Sequence, residues 1–221
     1  MAARVSSPAQ LPHISLVPVV NASRKSGHLL ILSEKQLGFP EDQDRHLLDR
    51  ANITYKHTSS GWMDTSTFDE WFAKVFVKLV KETRDQEFVG TKNPLAKSAR
   101  HLLLFDGHTS HYSHKTIDLA LKNNIDLMVT PSHMTHRLQP LDVGVFQHLK
   151  PALESALKHI TSMSSYREAL RNGDLVKMIA KTYIQHVTLR VITSGFRDSG
   201  IYLWCPEEGL KSIPGWGESF C

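Results

Sequence analysis

Leu102–His111 reads LLLFDGHTSH, and His136–Phe146, a little further on, reads HRLQPLDVGVF. Each places an aspartate beside apolar residues, Asp106 in the first stretch and Asp142 in the second. The short continuous apolar run His101–Phe105, stopping at Asp106-Gly107, fits a buried strand followed by a sharp turn. Residues 113–124 read as a helix with Ile117, Ala120 and Leu121 on one side. Ile125–Val129 reads as a second short buried strand, closed by Thr130-Pro131-Ser132. Strand, helix and strand in such close succession make a βαβ unit, whose two strands run parallel.

Outward from this unit, residues 14–22 (ISLVPVVNA) and 28–33 (HLLILS) form a candidate hairpin joined by a polar turn. Pro18 lacks a backbone donor, which assigns its position to an edge, a bulge or an interrupted ladder. Residues 34–51 read as charged loop or brief helix, and residues 52–58 as a short strand. Phe68, Trp71, Phe72, Val75, Phe76, Leu79 and Val80 then recur at helical spacing. Candidate N-caps for that helix run from Asp64 to Thr67, with Thr67 and Glu70 spaced as a capping box. Residues 83–99 read as a polar connector.

Beyond the loop 131–140, Val145, Phe146, Leu149, Leu153, Ala156, Leu157 and Ile160 form another helical stripe, with Asp142 in its first turn on the apolar side. Residues 166–187 hold one or two further helices, broken near Asn172-Gly173-Asp174, and the chain from Ser194 reads as irregular. No internal repeat is present.

The bulk numbers bound the partners. With 221 residues, 41% of them apolar, the chain builds a sizeable core. Its net charge of +4 permits nucleic acid as a partner without establishing it. Two cysteines, Cys205 and Cys221, make no disulfide framework and suit a reducing compartment such as cytosol or nucleus. Residues 1–13 lack the apolar centre of a secretory signal, and no run reaches the roughly 18 apolar residues of a membrane span, so no membrane partner is expected.

Ligands gather outside the carboxyl ends of parallel strands. Asp106 stands at such an end, and Asp142, 36 residues further on, returns to the same rim if its helix packs on the sheet. Two carboxylates at one rim suit Mg²⁺ and phosphoryl transfer by paired metal ions. The plainer alternative is that Asp106 serves turn geometry and Asp142 caps a helix. His108, His111 and His114, with His133 and His136, also have spacings seen in zinc sites, but the first of them lie in a turn rich in Ser and Thr. Lys92, Lys97, Arg100, Lys115 and Arg137 fall in or near the surrounding loops, where they would meet phosphates or simply face solvent.

LLLFDGHTSH, PSHMTHRLQPLDVGVF and SGFRDSGIYLW resemble, in that order, successive blocks of the DDE superfamily endonuclease domain of pogo/Tigger transposases, whose relatives include the jerky proteins and centromere protein B. GWMDTSTFDEWF, at residues 61–72, is similar to a further block of that family. The resemblance spans roughly residues 15–206. It implies an α/β, ribonuclease H-like mixed sheet flanked by helices, with three carboxylates holding two Mg²⁺ ions for attack on a phosphodiester. Asp106 and Asp142 then match the second and third catalytic acids, as both catalytic and metal-binding residues. His108 and His111 belong to the block around the second acid, which accounts for their spacing without zinc. His108, His111, Arg100, Lys115 and Arg137 become candidate nucleic-acid contacts.

The first acid of that family lies in a block like FNxDET upstream of the hairpin, and no such block occurs here. The expectation is therefore an irregular segment 1–13, an incomplete core at 14–160 with its first catalytic strand missing, and C-terminal helices with an irregular tail at 161–221. The resemblance implies a nuclear, transposase-derived, DNA-binding protein with weakened catalysis. Two alternatives stand beside it. One is an active Mg²⁺-dependent endonuclease in which another acid, Glu34 being nearest by sequence, replaces the first. The other is a protein-interaction module, with homo-oligomers left open.

Overall fold

The computed structural model describes residues 3–4, 13–22, 26–34, 42–87, 98–108, 113–131, 134–163 and 173–202. By chain contacts it divides into two compact units, residues 1–62 with 134–221, and residues 63–133.

In the first unit, β2 (Ile14–Val20) pairs antiparallel with β3 (Ser26–Ser33), as the hairpin pattern predicts. A two-residue strand, β1 (Ala3–Arg4), pairs antiparallel with β2, Ala3 opposite Leu16 and Arg4 opposite Ser15. Among the described residues Pro18 lies beyond those paired positions, and the ladder to β3 shifts register between Val19 and Val20, so its missing donor falls near a bulge. Helix α1 (Asp42–Arg50) leads into β4 (Ile53–His57), which pairs parallel with β3 to complete the order β1-β2-β3-β4.

Asn52 makes that α-to-β turn, its φ of 53° being a left-handed conformation that Asn tolerates better than most residues. Its side chain donates to Gly27 O at 2.6 Å, and its carbonyl accepts from Leu29 N at 3.1 Å, which fixes where β4 begins against β3.

The second unit repeats the device. Helix α4 (His114–Lys122) separates β5 (His101–Phe105) from β6 (Ile125–Val129), and the two strands pair parallel in a sheet of their own. Asn124, with φ 54°, makes the turn, and its carbonyl accepts from His101 N at 3.0 Å. Arg84 locks the same end. It is 8% exposed and donates to Ala99 O at 2.8 Å and Asn123 O at 3.1 Å.

The aromatic stripe forms one interrupted rod of α2 (Thr65–Trp71), a π-helical turn (Phe72–Phe76) and α3 (Val77–Glu87). Asp64 is its cap, accepting from Thr67 N at 2.7 Å. The expected Thr67–Glu70 capping box is absent, because Thr67 is buried inside the first turn and Glu70 pairs instead with Lys74 at 2.8 Å. Helix α3 also runs to Glu87, through part of the expected connector. The wider π turn rotates the following residues, so Val77 is buried beside Phe72 and Phe76 while Val75 and Leu79 are only half-buried.

Two further readings need correction. On α4 the buried residues are Thr116 and Ala120, while Ile117 and Leu121 are exposed at 42% and 65%. Asp69 of α2 accepts from the hydroxyls of Ser113 and Thr116, so a polar contact sets the helix's inward face. Strands β5 and β6 are not uniformly buried either, since Leu102, Met128 and Val129 are exposed.

Returning to the first unit, α5 (Thr135–Leu138) precedes a π-helical turn (Leu141–Val145) and α6 (Phe146–Met163), followed by α7 (Asp174–His186). Leu149, Leu153 and Leu157 of α6 and Val176, Ile179 and Tyr183 of α7 share one core with Leu16, Leu29 and Ile31 of the sheet. Each such side chain contributes about 1.5–3 kcal/mol on burial. The segment after Ser194 is not irregular throughout, because α8 (Leu189–Asp198) carries it, capped by Thr188, whose hydroxyl accepts from Val191 N.

Candidate active-site acids

Strands β5 and β6 end level, with Phe105 paired to Val129. Thr130, 3% exposed, donates both its amide and its hydroxyl to Phe105 O, at 3.0 and 3.2 Å. Phe105 is anchored on its other side by the Phe68 ring, centroid to centroid 6.3 Å. Asp106 therefore follows a strand end held by two hydrogen bonds and a ring contact. Its Oδ1 accepts from His108 N at 3.3 Å across the D-G-H turn. The plainer expectation of an Asp that shapes its own turn is met, and the carboxylate still stands at the carboxyl rim of a parallel pair.

Asp142 belongs to the other unit and to a different kind of support. Its amide donates to Gln139 O at 2.9 Å, and Val143 N donates to the same carbonyl at 3.0 Å, so Gln139 caps the π turn through its backbone. A π turn of this kind often marks a functional position in a helix. Helix α8 crosses the turn at backbone contact. A Cβ on Gly144 would lie 2.7 Å from Gly195 Cα, and one on Gly195 would lie 2.4 Å from Pro140 O. Two glycines thus let α8 rest directly on the residues flanking Asp142.

The remaining candidates are placed as follows. His108 is exposed in the turn after Asp106, while His111, His133, Lys92 and Lys97 lie outside the described residues. Lys115 is exposed in the first turn of α4, and the connectivity puts that turn at the carboxyl end of β5. Arg137 is half-buried on α5, its Nε donating to His136 Nε2 at 3.0 Å.

Arg100 does not share the rim with Asp106. It precedes β5, at the opposite end of a five-residue strand and so about 17–20 Å away. There it forms a two-bonded ion pair with Asp126, with Nε 2.8 Å from Oδ2. That hydrogen bond holds the Asp126 carboxyl below the usual carboxylate range and raises the guanidinium. Glu34 is likewise occupied, accepting from His13 N at 3.2 Å at the end of β3.

Gln139, Gly144 and Gly195 are the residues that reading the sequence for acids and bases passes over. All three carried a signal, since each lies inside one of the recognisable blocks. A cleft of about 760 Å³ between α2 and α4 is lined by Thr65, Asp69, Lys115, Thr116 and Lys122 among others, and Asp106 is not in its wall.

The oxygen donors here are of the hard type that suits Mg²⁺ or Mn²⁺. Among the described residues no group of three or more His, Cys, Asp or Glu is gathered to hold a metal ion. One buried oxygen beside the π turn, Oε1 of Gln139, nevertheless accepts no hydrogen bond among the described residues.

A family model described as DDE superfamily endonuclease matches residues 23–196, well over half the chain. The chain belongs to the DDE superfamily endonuclease family. Both acids and all three SGFRD, QPLD and FDGH blocks fall in or at the edge of the matched span. The DDE endonuclease family acts on DNA and uses divalent metal.

Among curated relatives, a protein named MFS-type transporter clz9 from Cochliobolus lunatus is 28% identical over 156 residues, 71% of this chain and 15% of that protein. The Jerky protein of Mus musculus is 28% identical over 93 residues, 42% of this chain and 15% of that one. The chain thus aligns with a small part of each. Among the described residues no helix is long and apolar enough to cross a membrane. No solved structure matches the chain significantly.

Proposed function

We propose that this DDE domain is a transposase-derived, ribonuclease H-like nuclear protein of the pogo/Tigger branch that contacts DNA, with Asp106 and Asp142 as the second and third acids of its site. The observation that carries the reading is the family match across residues 23–196, with Asp106 at the carboxyl end of a parallel strand pair inside it. The two carboxylates would hold Mg²⁺, which when bound supplies charge neutralisation at a phosphodiester and a more acidic attacking water. In this chain, Asp106 is held in place by the Phe105–Thr130 bonds and Asp142 by the glycine contact of α8. His108, His111, Lys115 and Arg137 would meet the phosphates.

The 221-residue chain is catalytically weak on its own. Two carboxylates only half balance two divalent ions, and Glu34, the nearest substitute by sequence, is engaged with His13. In a supercoiled-plasmid assay with Mg²⁺ or Mn²⁺, the 221-residue chain is expected to give no nicking above buffer. Nicking that disappears in Asp106→Asn would establish the alternative, an active endonuclease.

A non-catalytic reading has one observation in its favour. Ile184 and Leu189, near the junction of α7 and α8, are exposed at 44% and 49%, an apolar surface suited to a protein partner or a second copy. Light scattering that finds a strict monomer would remove the homo-oligomer.

A further inference from the structure

Gln139 is 2% exposed, yet its side-chain carbonyl oxygen is a buried atom that accepts no hydrogen bond among the described residues. Buried amide oxygens are nearly always satisfied, and an exception calls for an unseen partner such as an ordered water or an ion. The backbone of Gln139 is already committed, its carbonyl capping Asp142 N and Val143 N and its amide donating to Thr135 O at 2.9 Å. Only the side chain is left to take such a partner.

Its place narrows the choice. Gln139 stands three residues before Asp142, at the entry to the same turn, and it is fixed there by the bond from Asp142 N. Its backbone is extended, so it enters the turn from outside the helix. The backbone of α8 against Pro140 and Gly144 keeps that turn from relaxing to pair the oxygen elsewhere. A neutral amide oxygen together with a carboxylate is a ligand pair that hard divalent cations take, and it suits Mg²⁺ or Mn²⁺ better than zinc.

We propose that Gln139 is a second oxygen donor to the divalent cation held by Asp142, binding it through Oε1. This rests on the reading of Asp142 as a metal-binding acid. Gln139 adds an oxygen without adding charge, so it completes coordination while leaving the cation's positive field available to a phosphate. Its substitution alters metal affinity at the Asp142 side of the site and leaves Asp106 untouched.

The test is Mn²⁺ binding to the full 221-residue chain, followed by the electron paramagnetic resonance signal of the free ion, together with thermal unfolding with and without Mn²⁺. Gln139→Met keeps the side chain's length and removes the oxygen. It is expected to weaken Mn²⁺ about tenfold, the usual cost of a lost supporting ligand. In metal-free buffer its melting temperature should equal or exceed the parent's. Gln139→Glu, with a charged oxygen at the same reach, should bind Mn²⁺ at least as tightly as the parent.

Parent-like Mn²⁺ affinity in Gln139→Met, with affinity lost in Asp142→Asn, would overturn the role of Gln139 and leave that of Asp142 standing. A lower metal-free melting temperature in Gln139→Met would also overturn it, by showing that the fold itself satisfies the oxygen. If Asp142→Asn binds Mn²⁺ as the parent does, or the parent binds none, the metal reading of Asp142 fails and takes the inference with it.

Discussion

At the residue scale, His28 is the clearest case of a side chain whose burial has a measurable consequence. It is 1% exposed on β3, with Nε2 3.0 Å from the Thr54 hydroxyl, and burial pushes its pKa from 6.5 down to about 4. Between those values the unfolded chain binds a proton that the folded chain refuses, so stability falls as the pH drops from about 6.5 to 4. At 1.36 kcal/mol per pKa unit the loss is about 3 kcal/mol, and it levels off for this group below pH 4. Urea unfolding of His28→Gln at pH 4.5 and 7 is expected to show a smaller difference between the two pH values than the parent. An equal difference would place the acid sensitivity elsewhere. Nothing in HLLILS announces this, because a histidine at a strand start reads as an edge residue until the pairing of β3 with both β2 and β4 makes it central.

At the scale of elements, the contact that matters most is α8 on the π turn of Asp142. Gly195→Ala would place a Cβ 2.4 Å from Pro140 O, a backbone atom that yields only if the turn moves. The expected cost is about 1–3 kcal/mol by equilibrium unfolding, as for other overpacked sites. Ser194→Ala, half-buried in the same helix, is expected to stay within about 0.5 kcal/mol. Equal effects from the two would mean that the close approach carries no special weight.

The same element shows what hydrophobic pattern leaves unread. The βαβ unit was legible because its strands are short apolar runs and Asn124 ends the intervening helix as a left-handed turn residue should. Helix α8 was not, since Gly195 reads as a helix breaker in a line of sequence and as a packing device only against Gly144. The inward face of α4 failed for a related reason. Apolar periodicity pointed to Ile117 and Leu121, whereas the Asp69–Thr116 hydrogen bond, formed across 47 residues, turns Thr116 inward. Both acids were legible as candidates in the sequence because each ends or enters an element. Gln139 was not, because what distinguishes it is an oxygen left unpaired in three dimensions.

At the scale of the whole molecule, 26 Lys and Arg against 22 Asp and Glu leave too small an excess for net charge alone to drive binding to nucleic acid. Any DNA affinity must come from where the free cations sit, which the structure makes specific. Arg100 already has its charge matched by Asp126, whereas Lys115 is exposed in the first turn of α4. Counterion release ties each neutralised phosphate to a slope of about −0.9 in log K against log salt. Titration of a duplex at several salt concentrations should therefore give a clear negative slope for the full chain. Lys115→Ala should make it shallower by about one, and Arg100→Ala should leave it unchanged. A slope near zero in the parent would remove DNA as a partner. Equal shallowing by the two variants would instead show that the Arg100–Asp126 pair opens on the nucleic acid, and that the far end of β5, away from Asp106, is part of the binding surface.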